Sequence, residues 1–121
     1  MIDGKKLLSS FGYALRGIKT LLATEQNARI HFGAMILVFI LAVAFRVNHL
    51  EAAILFFAVV LVFAMEIINT AIEKTLDLLH PLEHQTVGRI KDAMAGAVFI
   101  SAFIALVVVC LTFYPYVKHL F

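Results

Sequence analysis

Polar positions along this chain are scarce and clustered, and their spacing changes as the chain proceeds. Residues 5–29 interleave Lys5, Lys6, Arg16, Lys19 and Arg29 with Leu8, Phe11, Leu15, Ile18 and Leu22. That apolar set recurs at three- and four-residue steps, which predicts an amphipathic helix lying along a membrane surface rather than crossing it. From Ile30 to Phe45 only His31 interrupts the apolar run, and Arg46 closes it. This stretch is shorter than the roughly 20 residues that span hydrocarbon, so the membrane segment 30–46 is expected to begin its helix ahead of Arg29 and to let flanking side chains snorkel. His31 then sits at headgroup level. A brief polar hinge, Arg46 to His49, leads into a second membrane helix at 50–79, apolar in its first half and acidic in its second. Pro81 ends it, because proline removes a donor and disfavours helix at the preceding residue. A third membrane helix is predicted at 87–114, closing with Tyr114, Pro115 and Tyr116 at an interface. Ala93, Ala97, Ser101 and Ala105 fall four apart along it, with Gly96 adjacent. A face of such small residues lets helices approach closely, within the chain or between subunits.

The expected class is therefore an all-α integral membrane protein: one domain over residues 1–121, a surface helix followed by three transmembrane helices. Composition agrees, since 63% of residues are hydrophobic and the mean hydropathy is +0.99, against roughly half apolar in soluble domains. The net charge of +2 is small, so placement of charge matters more than its sum, and no nucleic-acid partner is expected. Cys110 is the single cysteine; an inert thiol in an apolar run is the expectation. No cleavable leader is expected, and the first membrane helix directs insertion. With a cytoplasmic N-terminus, Lys5, Lys6, Arg16, Lys19, Arg29, Lys74, Arg89 and Lys91 lie inside, and only Arg46 and Lys118 outside. The positive-inside rule favours that multi-pass arrangement, with the C-terminus outside.

Three carboxylates in the second membrane helix carry the chemical question. Glu66, Asn69, Glu73 and Asp77 fall within an arc of roughly 80° on a helix, and each charge near hydrocarbon costs about 2.5–3.5 kcal/mol on insertion scales. They must face partner helices, water or cations. Glu25, Arg89, Lys91 and Asp92 gather at the same cytoplasmic side, where nucleoside triphosphates and Mg²⁺ are available. Carboxylates hold Mg²⁺ alongside substrate phosphates, a lysine neutralises transferred charge, and a further carboxylate accepts a hydroxyl proton. An ion-paired helix seam, with Glu66 and Asp92 holding Arg89 or Lys91, explains the same spacing, and spacing alone leaves both open. Two weaker patterns are set aside: Pro81 separates His80 from His84, against a zinc site, and GYALRGIK from Gly12 has Ile18 where a phosphate loop needs lysine.

EIINTAIEKTLD from Glu66, followed by GRIKDAMAGAV from Gly88, resembles the signature of the prokaryotic diacylglycerol kinase family, small three-helix membrane lipid kinases. GYALRGI and TEQNARIHF fit the family in the right order, so the similarity covers nearly the whole chain. The resemblance implies ATP-dependent phosphorylation of a membrane lipid alcohol with Mg²⁺, by a homotrimer whose sites are completed between neighbouring subunits. Glu66 matches the general base, and Asn69 would brace it. Glu25 and Glu73 match the carboxylates that hold the metal against the triphosphate. Lys91, Asp92, Tyr13 and His84 match nucleotide-contacting positions.

The absence of tryptophan and the presence of His31 in ARIHF depart from the diacylglycerol-specific pattern. TEQNARIH resembles the branch that phosphorylates undecaprenol, so undecaprenol is the expected substrate and diacylglycerol the alternative. A small ion carrier or a noncatalytic assembly factor belongs to a different class. A carrier places ionisable groups through the membrane depth, whereas here the charges stop at one side.

Overall fold

The computed structural model describes all of residues 1–121 as four helices with no strands: α1 (Gly4–Thr24), α2 (Gln26–Ala44), α3 (His49–Leu79) and α4 (Gln85–Lys118). The last three are long and apolar enough to cross a membrane. At about 1.5 Å per residue α3 is about 46 Å long and α4 about 51 Å, against a hydrocarbon core of about 30 Å. α3 therefore has about eleven residues to spare and α4 about fourteen, and in α3 the charges beyond Glu66 fall there. Glu66 lies about 26 Å along α3 from His49, just short of one hydrocarbon thickness.

α3 is the central helix, packed against α2 on one side and α4 on the other. Val38, Leu55, Val59 and Phe113 form one buried cluster, and Ala58, Val62 and Ala105 a second. Ala105 thus uses the small-residue face of α4 against α3. Gly96 does not: a side chain there would meet nothing within 4 Å. Only 13 of 121 residues are buried. Side chains such as Phe57, Phe99, Phe103 and Leu106 stand outward, the inverse of a water-soluble bundle, and hydrocarbon is the solvent that suits them.

The helix expected over 5–29 is interrupted. Glu25 adopts an extended conformation, φ −109° and ψ 122°, so α1 stops at Thr24 and α2 starts at Gln26. The carbonyls freed at the end of α1 are satisfied locally, since Arg29 Nη1 donates to Leu22 O at 3.2 Å and Ala23 O at 3.1 Å. The break turns Glu25 towards α3. α1 is one uninterrupted helix through Gly12 and Gly17, which leaves no loop in which a phosphate could be cradled. At the other end α4 runs through Pro115 to Lys118, beyond the expected stop at Tyr114. A proline so close to a helix terminus deprives the backbone of only one bond.

The α2–α3 turn is closed from both directions. Val47 N–H donates to Ala42 O and Arg46 N–H to Val43 O, the paired bonds of a Schellman motif, with Arg46 at φ 52° in the position glycine usually takes. Asn48 and Glu51 then form a capping box at the start of α3. Tyr116 from α4 donates to Glu51 Oε2 at 2.5 Å, and Phe45 packs against both Phe113 and Tyr116. This end of the bundle is pinned.

Candidate active site

At the opposite end, two depressions flank the charged half of α3, and of its acidic stripe only Asp77 lines one of them. The first lies between α1 and α3, a groove of about 510 Å³ whose walls include Tyr13, Thr20, Glu25, Thr70 and Lys74. Lys74 Nζ stands 3.0 Å from Glu25 Oε1, tying α3 to the α1–α2 break. The ammonium's hydrogen bond, aided by its charge, holds the Glu25 carboxyl below the usual carboxylate range, partial burial opposing. Arg16 lies 5.6 Å from the Tyr13 ring centroid in the same groove.

The second depression, about 530 Å³, sits where α3 meets α4, and is lined by Asp77, His80, His84, Gln85 and Lys91 among others. Lys91 Nζ donates to Asp77 Oδ1 at 2.5 Å. His84 caps α4, its Nδ1 accepting from Thr86 N–H at 3.1 Å. The His80 and His84 rings are 5.9 Å apart, yet no three His, Cys, Asp or Glu side chains converge as a metal cage would require.

Glu66 precedes the α3 residues of both depressions and lines neither; it has 3% of its surface exposed and no side-chain partner for its carboxylate. The Glu25 and Glu73 carboxylates bear on it electrostatically. Glu73 also acts electrostatically on Lys74 and on Lys91. Asn69 is half-buried one turn beyond Glu66, and Asp92 is exposed on α4. The structure thus brings Tyr13 and Glu25 to one groove and His84 and Lys91 to the other. Asp92 joins neither.

Glu66 is not held in the seam that its spacing also allowed, because the seam runs through Asp77 and Lys91 instead. Asp77 belongs to the stripe, and its pairing across the α3–α4 loop was hidden in a separation of 14 residues. Lys74 and the buried Thr70 also escaped the sequence pattern. The signal available for them was position: 66, 70 and 74 share one helical face.

The first groove offers one carboxylate, Glu25, beside the hydroxyls of Tyr13, Thr20, Thr24 and Thr70, together with the cationic Arg16 and Lys74. Mg²⁺ takes one or two carboxylates and leaves its other positions to water and substrate phosphates. Glu25 supplies one such carboxylate in the groove, and Glu73, which does not line it, acts with Glu25 on Glu66; such a set leaves most positions of the ion to phosphates and water.

A membrane-embedded bundle with carboxylates and ammonium groups collected at one end defines a protein that works on charged ligands at the lipid boundary. The chain belongs to the prokaryotic diacylglycerol kinase family, whose model matches residues 12–113; it is an integral-membrane lipid kinase. It is 36% identical over 110 residues to the undecaprenol kinase of Bacillus subtilis (strain 168), covering 91% of this chain and 89% of that one. The diacylglycerol kinase of Synechocystis is 35% identical over 103 residues, covering 84% of this chain and 59% of its own. That of Escherichia coli (strain K12) is 28% identical over 106 residues, covering 88% and 87%.

Proposed function

We propose that this chain transfers the γ-phosphoryl group of ATP to the hydroxyl of undecaprenol, with Glu66 as general base. The observation that carries the proposal is that Glu66 is 3% exposed and has no partner within the chain, while its carboxylate oxygens are not sealed off. A largely buried carboxylate lacking a protein hydrogen bond is costly, and a substrate hydroxyl that reaches it offsets that cost only while substrate is bound. The hydroxyl oxygen attacks the γ-phosphorus, its proton passes to the Glu66 carboxylate, and the bond to the β-phosphate oxygen breaks to release ADP.

The other residues follow from their placement. Tyr13 and Glu25 line the nucleotide side of the first groove and His84 and Lys91 the second depression; Glu73 and Asp92 line neither and are given nucleotide contact by family resemblance. Asn69, next to Glu66 on the helix face, orients the acceptor. Glu25 and Glu73 are the residues to hold Mg²⁺, which when bound with ATP neutralises charge on the β- and γ-phosphates. An apolar cavity of about 320 Å³ includes Val38, Val59, Val62 and Ala105 in its walls. Val59, Val62 and Glu66 share one face of α3, so a hydrocarbon chain lying there points its hydroxyl end towards the base.

Undecaprenol is preferred over diacylglycerol because the undecaprenol kinase of Bacillus subtilis is 36% identical to this chain, against 28% for the diacylglycerol kinase of Escherichia coli at similar coverage. The charged end is cytoplasmic, with the N-terminus inside and the C-terminus outside, as the distribution of basic residues favours. The assembly is a homotrimer with sites shared between subunits; the many outward apolar side chains supply the contact surface. Purified protein in lipid micelles, offered labelled ATP with either alcohol, tests the assignment: undecaprenol is phosphorylated faster. Faster labelling of diacylglycerol reverses the substrate, and no labelled lipid removes the proposal.

A further inference from the structure

Lys74 has a role that the reaction as proposed does not use. Its ammonium is the one cation bonded to the carboxylate put forward for the metal, and Glu73 and Asp77 also bear on it electrostatically. It shares its helix face with Glu66 and Thr70 and opens into the same groove as Tyr13. Its side chain is 63% exposed while that of Glu25 is 27% exposed. The lysine is therefore the mobile partner of the pair: it has four carbons of flexible stem, whereas Glu25 is fixed at the break between two helices.

We infer that Lys74 is a polyphosphate-binding residue that occupies Glu25 in the free protein and transfers to the nucleotide when a divalent cation takes its place. The inference rests on the reading of Glu25 as a metal carboxylate. Two cations sharing one carboxylate repel each other, so arrival of a divalent ion weakens the hold of Glu25 on the ammonium. The same arrival brings phosphate oxygens into the groove, and these are stronger acceptors for an ammonium than water. Lys74 competes with the metal before the nucleotide is present and assists the nucleotide afterwards. The exchange favours binding of metal and nucleotide together over either alone.

This predicts effects of opposite sign in a single variant. Mn²⁺ binding to the nucleotide-free protein, followed by electron paramagnetic resonance, becomes about two- to fivefold tighter in Lys74→Met, because an exposed ion pair no longer competes. Binding of a nonhydrolysable ATP analogue with Mg²⁺ becomes about tenfold weaker or more, because a charge-assisted hydrogen bond is lost. Lys74→Arg keeps both near the wild type, and helix content by circular dichroism confirms that each variant is folded. A purely structural lysine moves both affinities the same way, and that result, or no movement in either, overturns the inference. Glu25→Gln separates the metal role of Glu25 from the exchange at Lys74. If it binds Mn²⁺ as the wild type does, the metal role of Glu25 fails and the inference with it. If it loses Mn²⁺ while Lys74→Met behaves as the wild type, the inference alone fails.

Discussion

Asp77 and Lys91 lie 14 residues apart in sequence and 2.5 Å apart in space, and they hold the charged ends of α3 and α4 across the loop at Pro81. Asp77 is half-exposed and Lys91 one-third exposed, so water screens much of the attraction. Asp77→Asn is expected to lower the thermal midpoint by no more than about 5 °C. Lys91→Met costs the same stability and additionally weakens ATP binding. Calorimetry and nucleotide titration on the two variants check this; equal nucleotide affinity in both would leave Lys91 only a structural part.

Glu66→Gln separates activity from stability. Removing the base lowers turnover by about 10²–10⁴-fold, while exchanging a buried acid for a neutral amide of the same shape raises stability by about 1 kcal/mol. Turnover and thermal unfolding in the same detergent measure both effects. Substantial activity with unchanged stability would take Glu66 out of the base role.

The tether between Glu25 and Lys74 is expected to open in acid. Glu25 is held below the ordinary glutamate value, about 4.3, so its contribution is complete above that value and is lost as pH falls through the lower, folded value. Spin labels on α1 and α3 should separate as pH is taken from about 6 to about 3. Glu25→Gln should show the wider separation already at the upper end. An unchanged distance across the whole range would mean that packing, not this pair, holds α1.

Tyr116→Phe removes the hydroxyl that reaches Glu51 and leaves the ring against Phe45. The α3 capping box survives, because Asn48 and Glu51 complete it without tyrosine. Thermal stability is expected to fall by a few degrees, with lipid kinase activity at the far end retained. Loss of activity without loss of stability would contradict this division of the molecule.

Arg46→Gly acts on backbone strain. Its φ of 52° costs a residue with a Cβ about 1–2 kcal/mol, and glycine avoids that while losing about 0.5–1 kcal/mol in chain entropy. The variant is expected to be slightly more stable, by about 0.5 kcal/mol; Arg46→Val is expected to be less stable. Unfolding midpoints of both variants decide it.

The three long apolar segments, their order and the acidic stripe of α3 were legible in the sequence because each depends on local quantities: hydropathy summed over a helix length, and 100° of turn per residue. Residues 5–29 read as continuous helix because nothing local marks a break at Glu25; the break depends on Arg29 reaching back to carbonyls six and seven residues earlier. Which carboxylate is paired and which is left alone is likewise a matter of distance between helices. Asp77 found Lys91, Glu25 found Lys74, and Glu66 was buried with neither, although these three acids look alike in the chain. Periodicity determines the face on which a charge stands, and only the packing of one helix against another determines what that charge meets.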